Sequence, residues 1–136
     1  MKKRIALMLT TLAILLAGTT VRAARPTTVY LFGITQCLND TVVYLSGMQQ
    51  LDGVALSKDG LLVDRAYFSA CFDSYVDQTF SRQNTVTSVM YSKSRKKAEK
   101  LYVKARSRAL KNKGVRLQEV PTTSFQFKLR SSDNTK

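Results

Sequence analysis

Residues 27–46, TTVYLFGITQCLNDTVVYLS, decide the fold because they hold two strand-like segments on either side of a turn. Thr27–Thr35 is almost continuously apolar and rich in β-branched and aromatic residues, which predicts a central strand covered on both faces. Asn39 and Asp40 give a turn signal, and Thr41–Ser46 predicts a second strand. Because the connection is short, we expect the two strands to pair as an antiparallel hairpin.

A helix is predicted after a short uncertain segment. Asp59-Gly60 could close a small hairpin between Val54–Leu56 and Leu61–Val63, or this segment could be a loop. From Arg65 to Phe80 the apolar residues recur at helical spacing, and Asp64 is a suitable N-cap. We assign one face to the core and the other to solvent: Phe68, Cys71, Phe72, Tyr75 and Val76 against Ser69, Asp73 and Asp77.

The next segment predicts a strand followed by a strongly basic helix. Thr85–Tyr91 has the composition of a strand, and Ser92 or Ser94 can cap a helix that runs to about Asn112. Gly114 stands where a left-handed C-cap residue is expected.

Two apolar alternations near the C-terminus complete the pattern. Val115–Val120 predicts a strand with Val115 and Leu117 on one side. Pro121 interrupts it, and Ser124–Leu129 alternates again as an edge strand or a continuation would. The element order therefore predicts an α+β fold: a mixed four- to five-stranded sheet, with an opening β-hairpin and a closing βαβ unit, packed with two helices. In the closing unit, a right-handed crossover should join parallel neighbours.

The N-terminus has the three parts of a secretory signal. Met1–Arg4 is cationic, Ile5–Ala17 is apolar apart from two threonines, and Val21-Arg22-Ala23 fits a signal-peptidase site. We expect residues 1–23 to be removed, which leaves a single domain over residues 24–130 and a disordered tail over 131–136. The apolar run is short for a permanent span, so we expect no transmembrane span in the mature protein and a periplasmic or secreted location.

The positive charge is concentrated in one segment. The chain has 22 basic and 9 acidic residues, and the leader would remove four of the basic ones. Lys93–Lys113 holds ten basic residues against Glu99 alone, so it carries the whole excess of the predicted mature chain. Such a segment attracts polyanions, and outside the cytoplasm these are lipid headgroups, acidic glycans and acidic protein faces.

The basic helix places its cations on one side. An apolar sector of about 100° contains Ala98, Leu101, Tyr102, Ala105 and Ala109, and should pack on the sheet. The cationic stripe is our name for Lys93, Lys97, Lys100, Lys104, Arg108 and Lys111. Like charges at this spacing repel each other, so the stripe could bind an external anionic partner, pair with Asp73 and Asp77 of the first helix, or remain a solvated face.

The residue types that the chain lacks argue against several classes of function. The chain has no His and no Trp, which removes Ser-His-Asp and Cys-His catalysis and every zinc site that needs imidazole. Asp73 and Asp77 could act as paired carboxylates, but their setting favours a solvated helix face. No aromatic residue interleaves with the stripe, and export argues against nucleic acid. We therefore expect a non-enzymatic protein without metal or cofactor.

Two cysteines remain after the leader. Cys37 and Cys71 could form a disulfide in an exported protein, closing a loop worth about 3–4 kcal/mol in the chain-entropy estimate. They could equally remain buried thiols, since free cysteine behaves as a small apolar residue.

Two segments carry a resemblance to a known group. TTVYLFGITQCLNDTVVYLSGMQQLDGV and YSKSRKKAEKLYVKARSRALKNKG resemble small exported proteins of unknown function from Bacteroidota. The resemblance implies export and a single domain, and no activity. The strand, the helix beginning S-x-x-x-A-E at Ser94 and the returning strand also resemble half of a SPOR peptidoglycan-binding module.

These observations favour an envelope or secreted protein that binds an anionic surface or an acidic partner through the cationic stripe. The alternatives are an assembly subunit that uses the Phe125–Leu129 strand edge, and a peptidoglycan-associated module.

Overall fold

A computed structural model describes residues 26–131 of the chain. The predicted signal peptide, residues 1–23, and residues 132–136 of the predicted tail lie outside the described residues. Residues 26–131 form five strands and two helices: β1 Pro26–Cys37, β2 Val42–Ser46, β3 Gln49–Ala55, α1 Arg65–Phe80, β4 Thr85–Ser92, α2 Arg95–Lys111 and β5 Arg116–Val120.

Strand β1 is the centre of a mixed five-stranded sheet, which confirms the predicted α+β class. Its residues 30–37 pair antiparallel with β4. Its opposite edge pairs antiparallel with β3 over residues 26–31 and with β2 over residues 34–36, so the opening hairpin is confirmed. Strand β5 lies parallel to β2.

Strands β2 and β3 follow one another along the same edge of β1, separated by Gly47 and Met48. At this break the N–H of Gly33 donates to the buried hydroxyl of Ser46 at 2.7 Å. The N–H of Gly47 donates to the carbonyl of Val120 at 2.9 Å. The break therefore keeps its backbone groups bonded while the chain passes from one strand to the next.

The closing β-α-β unit differs from the prediction in one respect. β4 and β5 run in the same direction, but they are not neighbours, because β1 and β2 lie between them. The opening hairpin has two open edges, and each accepts one of the later strands. Helix α2 must therefore cross over two strands rather than join adjacent ones.

The two helices lie on opposite faces of the sheet, because side chains alternate along the central strand. Val29 and Leu31 of β1 belong to the core that contains Phe68, Phe72 and Val76 of α1. Phe32 and Ile34 instead belong to a smaller core with Leu101, Tyr102 and Ala105 of α2. The molecule therefore has a helix, sheet, helix layering.

Helix α1 has the predicted bounds, and Phe68, Phe72 and Val76 of its predicted core face are buried, whereas Cys71 and Tyr75 are half-buried. Its ends differ from the prediction. The side chain of Asp64 makes no capping hydrogen bond, and only its carbonyl accepts the N–H of Phe68. Ser81, with φ of 54°, ends the helix in the left-handed conformation.

Asp73 is not on a solvated face as the sequence predicts. Its carboxylate accepts hydrogen bonds from the hydroxyls of Thr85 and Thr87, the latter at 2.9 Å. Asp73 is half-buried and ties α1 to β4, whereas Asp77 is exposed.

The segment before α1 is the small hairpin that the sequence offered as one alternative. Leu56 and Leu62 form an antiparallel bridge, and the N–H of Val63 donates to Ala55. Gly60 has φ of 77°, the left-handed conformation that the Asp-Gly turn requires.

Gly114 does not take the predicted left-handed conformation. Helix α2 ends at Asn112 with extended backbone, and the positive-φ glycines among the described residues are Gly53 and Gly60. The N–H of Val115 returns to the carbonyl of Asn112 at 3.0 Å, so a turn that includes Gly114 closes the helix without a left-handed residue.

The predicted edge strand Ser124–Leu129 is wrong. Residues 121–131 have no strand and lie as a strap across α1. The side chain of Gln49 accepts the N–H of Phe127 and donates to the carbonyl of Phe125. Phe125 packs on Phe72 and Tyr75, with ring centroids 5.1 Å apart in both pairs. The alternation marks burial against a helix rather than pairing in a sheet.

Candidate anion-binding interface

Helix α2 begins at the second of the two predicted caps. The hydroxyl of Ser94 accepts the N–H of Lys97 at 3.3 Å. The predicted apolar sector is confirmed: Ala98, Ala105 and Ala109 are buried, and Tyr102 contacts Phe32 edge to face at 5.3 Å. This packing fixes which side of the helix faces solvent.

The cationic stripe lies on the surface. Five of its members belong to α2, and Lys93 precedes the N-cap, so it lies outside the helix. All six side chains are exposed: Lys93, Lys97, Lys100, Lys104, Arg108 and Lys111.

No acidic residue of the described segment pairs with the stripe. The ion pairs among residues 26–131 join Arg82 to Asp40, Arg95 to Glu99 and Arg106 to Glu119. None of the stripe's cations takes part in them. Asp73 and Asp77 belong to α1, on the opposite face of the sheet, so the predicted pairing of the two helices is wrong.

The two flanks of α2 differ in charge balance. Toward β5, Arg106 donates to Glu119 at 2.7 Å, and Arg95 pairs with Glu99 within the helix. Burial, with Glu119 nearby, raises the pKa of Tyr102 on this flank. Toward β4 the flank carries the stripe, and no carboxylate of residues 26–131 pairs with its cations. The positive field is therefore one-sided.

A groove opens beneath the stripe, between α2 and the sheet, with a volume of about 550 Å³. Ile34, Val43 and Met90 of the sheet, with Leu101, Ala105, Ala109 and Val115, form its apolar lining. Lys104 and Arg108 of the stripe also line the cavity, together with Arg65 from α1, and because all three are exposed we assign them to its rim. We call this cavity the α2 groove.

Sequence reasoning missed both the α2 groove and Arg65. Arg65 reaches past the outer edge of β4, where its Nε donates to the carbonyl of Val89 at 3.0 Å. Arg65 is the first residue of α1, and no local sequence pattern predicts that it lies beside α2 on the opposite face of the sheet. The alanines at 105 and 109 were the available signal, because small side chains leave space above a sheet.

Cys37 and Cys71 are free thiols, which is the second of the two alternatives that the sequence left open. Burial is the main cause that raises the pKa of the Cys37 thiol. The Arg82 guanidinium opposes it, and the nearby carboxylates of Asp40 and Asp73 add to it. Cys71 lies two residues before Asp73, which corresponds to about 200° around α1. Cys71 is therefore on the opposite flank of the helix from Asp73, which is the residue near Cys37. Burial holds Cys37 in the neutral thiol form, which does not suit a nucleophile.

The described residues offer little support for metal binding, for a membrane span or for catalysis by paired carboxylates. No group of three or more His, Cys, Asp and Glu side chains within residues 26–131 could hold a metal ion. Within the part of the chain that the structure describes, no helix is long and apolar enough to cross a membrane. Asp73, a candidate for paired-carboxylate catalysis, is instead bonded to two threonines.

Comparisons of the chain with protein-family models, with curated proteins and with solved structures find no match.

Proposed function

We propose that this is an exported, non-enzymatic protein that binds an anionic surface or an acidic partner protein. The binding face is the cationic stripe: Lys93, Lys97, Lys100, Lys104, Arg108 and Lys111. One observation carries the proposal, namely that these exposed cations have no carboxylate partner among residues 26–131.

The repelling cations of the stripe destabilise helix α2 as long as no anionic partner is bound. Like charges three and four residues apart on a helix destabilise it by about 0.2–0.5 kcal/mol per pair. The other flank of α2 has Glu99 and Glu119 to offset its arginines, so the fold can supply carboxylates where it uses them. An anionic partner would offset the repulsion on the stripe.

The one-sided field also suits recruitment over a distance. Exposed charges act over a Debye length of about 10 Å at 0.1 M salt, and several cations on one face steer an anionic partner to that face. Base stacking has no platform there, because Tyr102 is turned to the core. This favours lipid, glycan or protein carboxylates and phosphates over single-stranded nucleic acid.

The test compares two variants with the same net charge. The first carries Lys97→Gln, Lys100→Gln, Lys104→Gln and Arg108→Gln on the stripe. The control carries Lys58→Gln, Arg116→Gln, Lys128→Gln and Arg130→Gln, all exposed and off the stripe. Each is applied at low salt to an anionic lipid matrix and to purified peptidoglycan.

We expect the stripe variant to lose retention on at least one matrix while the control is held nearly as well as the unmodified protein. Circular dichroism would establish that both variants are folded. Equal retention of the two variants would show that only net charge matters, and would reject the stripe as a binding site.

A second candidate function, an assembly subunit, is favoured by the edge of β5. Within the described residues β5 pairs only with β2, so its outer edge is open to a further strand. A mass that increases with protein concentration and persists in high salt would support assembly through this edge.

A further inference from the structure

We propose that the α2 groove holds the acyl chain of a single-chain anionic phospholipid, with its headgroup on Arg65, Lys104 and Arg108. This deepens the proposed function, on which it rests, by naming the anionic partner as a lipid.

The lining of the groove suits an acyl chain. Its sheet side is Ile34, Val43 and Met90, and its helix side includes Ala105 and Ala109. The volume of about 550 Å³ lies within the range of about 300–1,000 Å³ typical of small-molecule sites. Each methylene buried there removes apolar surface of both lipid and protein from water, which favours binding.

The rim of the groove suits an anionic headgroup. Arg65, Lys104 and Arg108 bring three cations to the opening, and among residues 26–131 no Asp or Glu lines the groove. Guanidinium groups bind phosphate oxygens in a bidentate manner, and two of the three cations are arginines. The neutral polar groups at the rim are those of Gln36, Ser88 and Asn112.

The groove is held open by contacts on the far flank of α2. Tyr102 packs on Phe32 at 5.3 Å, and Arg106 is bonded to Glu119 of β5. These contacts fix the helix toward β5, while the small side chains of Ala105 and Ala109 leave space toward β4. The cavity therefore exists without rearrangement of the helix.

A lipid fits better than an acidic protein because apolar and cationic groups converge on one cavity. An acidic protein face would use the exposed stripe and leave the apolar lining in water. An anionic amphiphile covers that lining and neutralises the rim together, and the stripe beyond the rim can contact the neighbouring headgroups of a membrane surface.

Calorimetric titration of the protein tests the inference, with each lipid kept below its critical micelle concentration. Myristoyl lysophosphatidylglycerol is the anionic probe, and myristoyl lysophosphatidylcholine has the same chain with a zwitterionic headgroup. Glycerol 3-phosphate supplies the headgroup charge without a chain. We expect one anionic lipid per protein, bound about tenfold tighter than the zwitterionic lipid, and no measurable binding of glycerol 3-phosphate.

Variants separate the groove from the stripe. Ser88→Trp places a large ring at an exposed groove position without changing the charge, and should abolish lipid binding while retention on the anionic matrix persists. Lys104→Gln with Arg108→Gln should weaken lipid binding about tenfold. Lys97→Gln with Lys111→Gln removes the same charge away from the groove, and should weaken it much less.

A direct probe covers the case in which Ser88→Trp fails to fold. The methyl resonance of Met90, which lines the groove, should shift on addition of lysophosphatidylglycerol, while that of Met48 should not. Equal affinity for both lipids, or an unmoved Met90 methyl, would overturn the inference. If matrix retention still depends on the stripe in that case, the proposed function stands without the groove.

Discussion

At the residue scale, the close approach of α1 to the sheet depends on Gly33. A β-carbon built at Gly33 would lie 2.5 Å from Cδ1 of Phe72, a fully buried residue at the centre of α1. A glycine inside a strand commonly marks such an approach. The aromatic core around Phe72 therefore limits what position 33 can be.

We expect Gly33→Ala to reduce the free energy of unfolding by about 1–3 kcal/mol, because the ring of Phe72 must move in a packed core. Gly114→Ala is the matched control, since a β-carbon at that position would meet nothing within 4 Å and the φ of Gly114 is not left-handed. Urea unfolding measures both. A Gly33→Ala protein as stable as the Gly114→Ala protein would contradict the packing described here.

Local sequence was enough to identify the buried residues of α1 and α2, because helical periodicity is a short-range property. It was not enough for Asp73, whose threonine partners lie 12 and 14 residues further along the chain. Nor could it place Cys37 and Cys71, since their separation depends on the rotation of α1 about its axis.

At the element scale, the bounds of α1 and of β4 followed from periodicity and turn residues. Strand β3, Gln49–Ala55, did not, because the sequence left the residues before Val54 unassigned. The strap over residues 121–131 did not, because alternation at Phe125 and Phe127 predicts burial without saying against what. The rings pack on α1, and the backbone of the strap bonds the side chain of Gln49, more than 70 residues earlier in the chain.

Gln49→Leu should loosen the strap and reduce the free energy of unfolding by about 1–3 kcal/mol, since the N–H of Phe127 loses its acceptor in a part-buried setting. Amide exchange at Phe127 should accelerate more than exchange within β1. Gln50→Leu is the control, because the Gln50 side chain is exposed and bonds only Asp52 among the described residues. Exchange at Phe127 that is identical in the two variants would show that Gln49 does not hold the strap.

At the scale of the whole molecule, topology decides which charges can meet. The fold class was predictable from element order, but the position of β4 was not, because β1 offers two edges and local sequence does not choose between them. Once β4 takes the outer edge of β1, α2 crosses the face opposite α1. Because the two helices lie on opposite faces of the sheet, Asp73 and Asp77 of α1 do not pair with the stripe. The same arrangement makes Arg65 part of the groove rim.

Binding at the cationic stripe should be sensitive to salt, and nuclear magnetic resonance can locate the binding face directly. The backbone amides of the protein are followed while vesicles of an anionic phospholipid are added, with zwitterionic vesicles as the control. We predict that signal changes concentrate on α2 from Lys97 to Lys111 and weaken as salt is raised. Changes centred on the β5 edge, or equal changes with both vesicle types, would contradict the claim that the cationic stripe is the binding face.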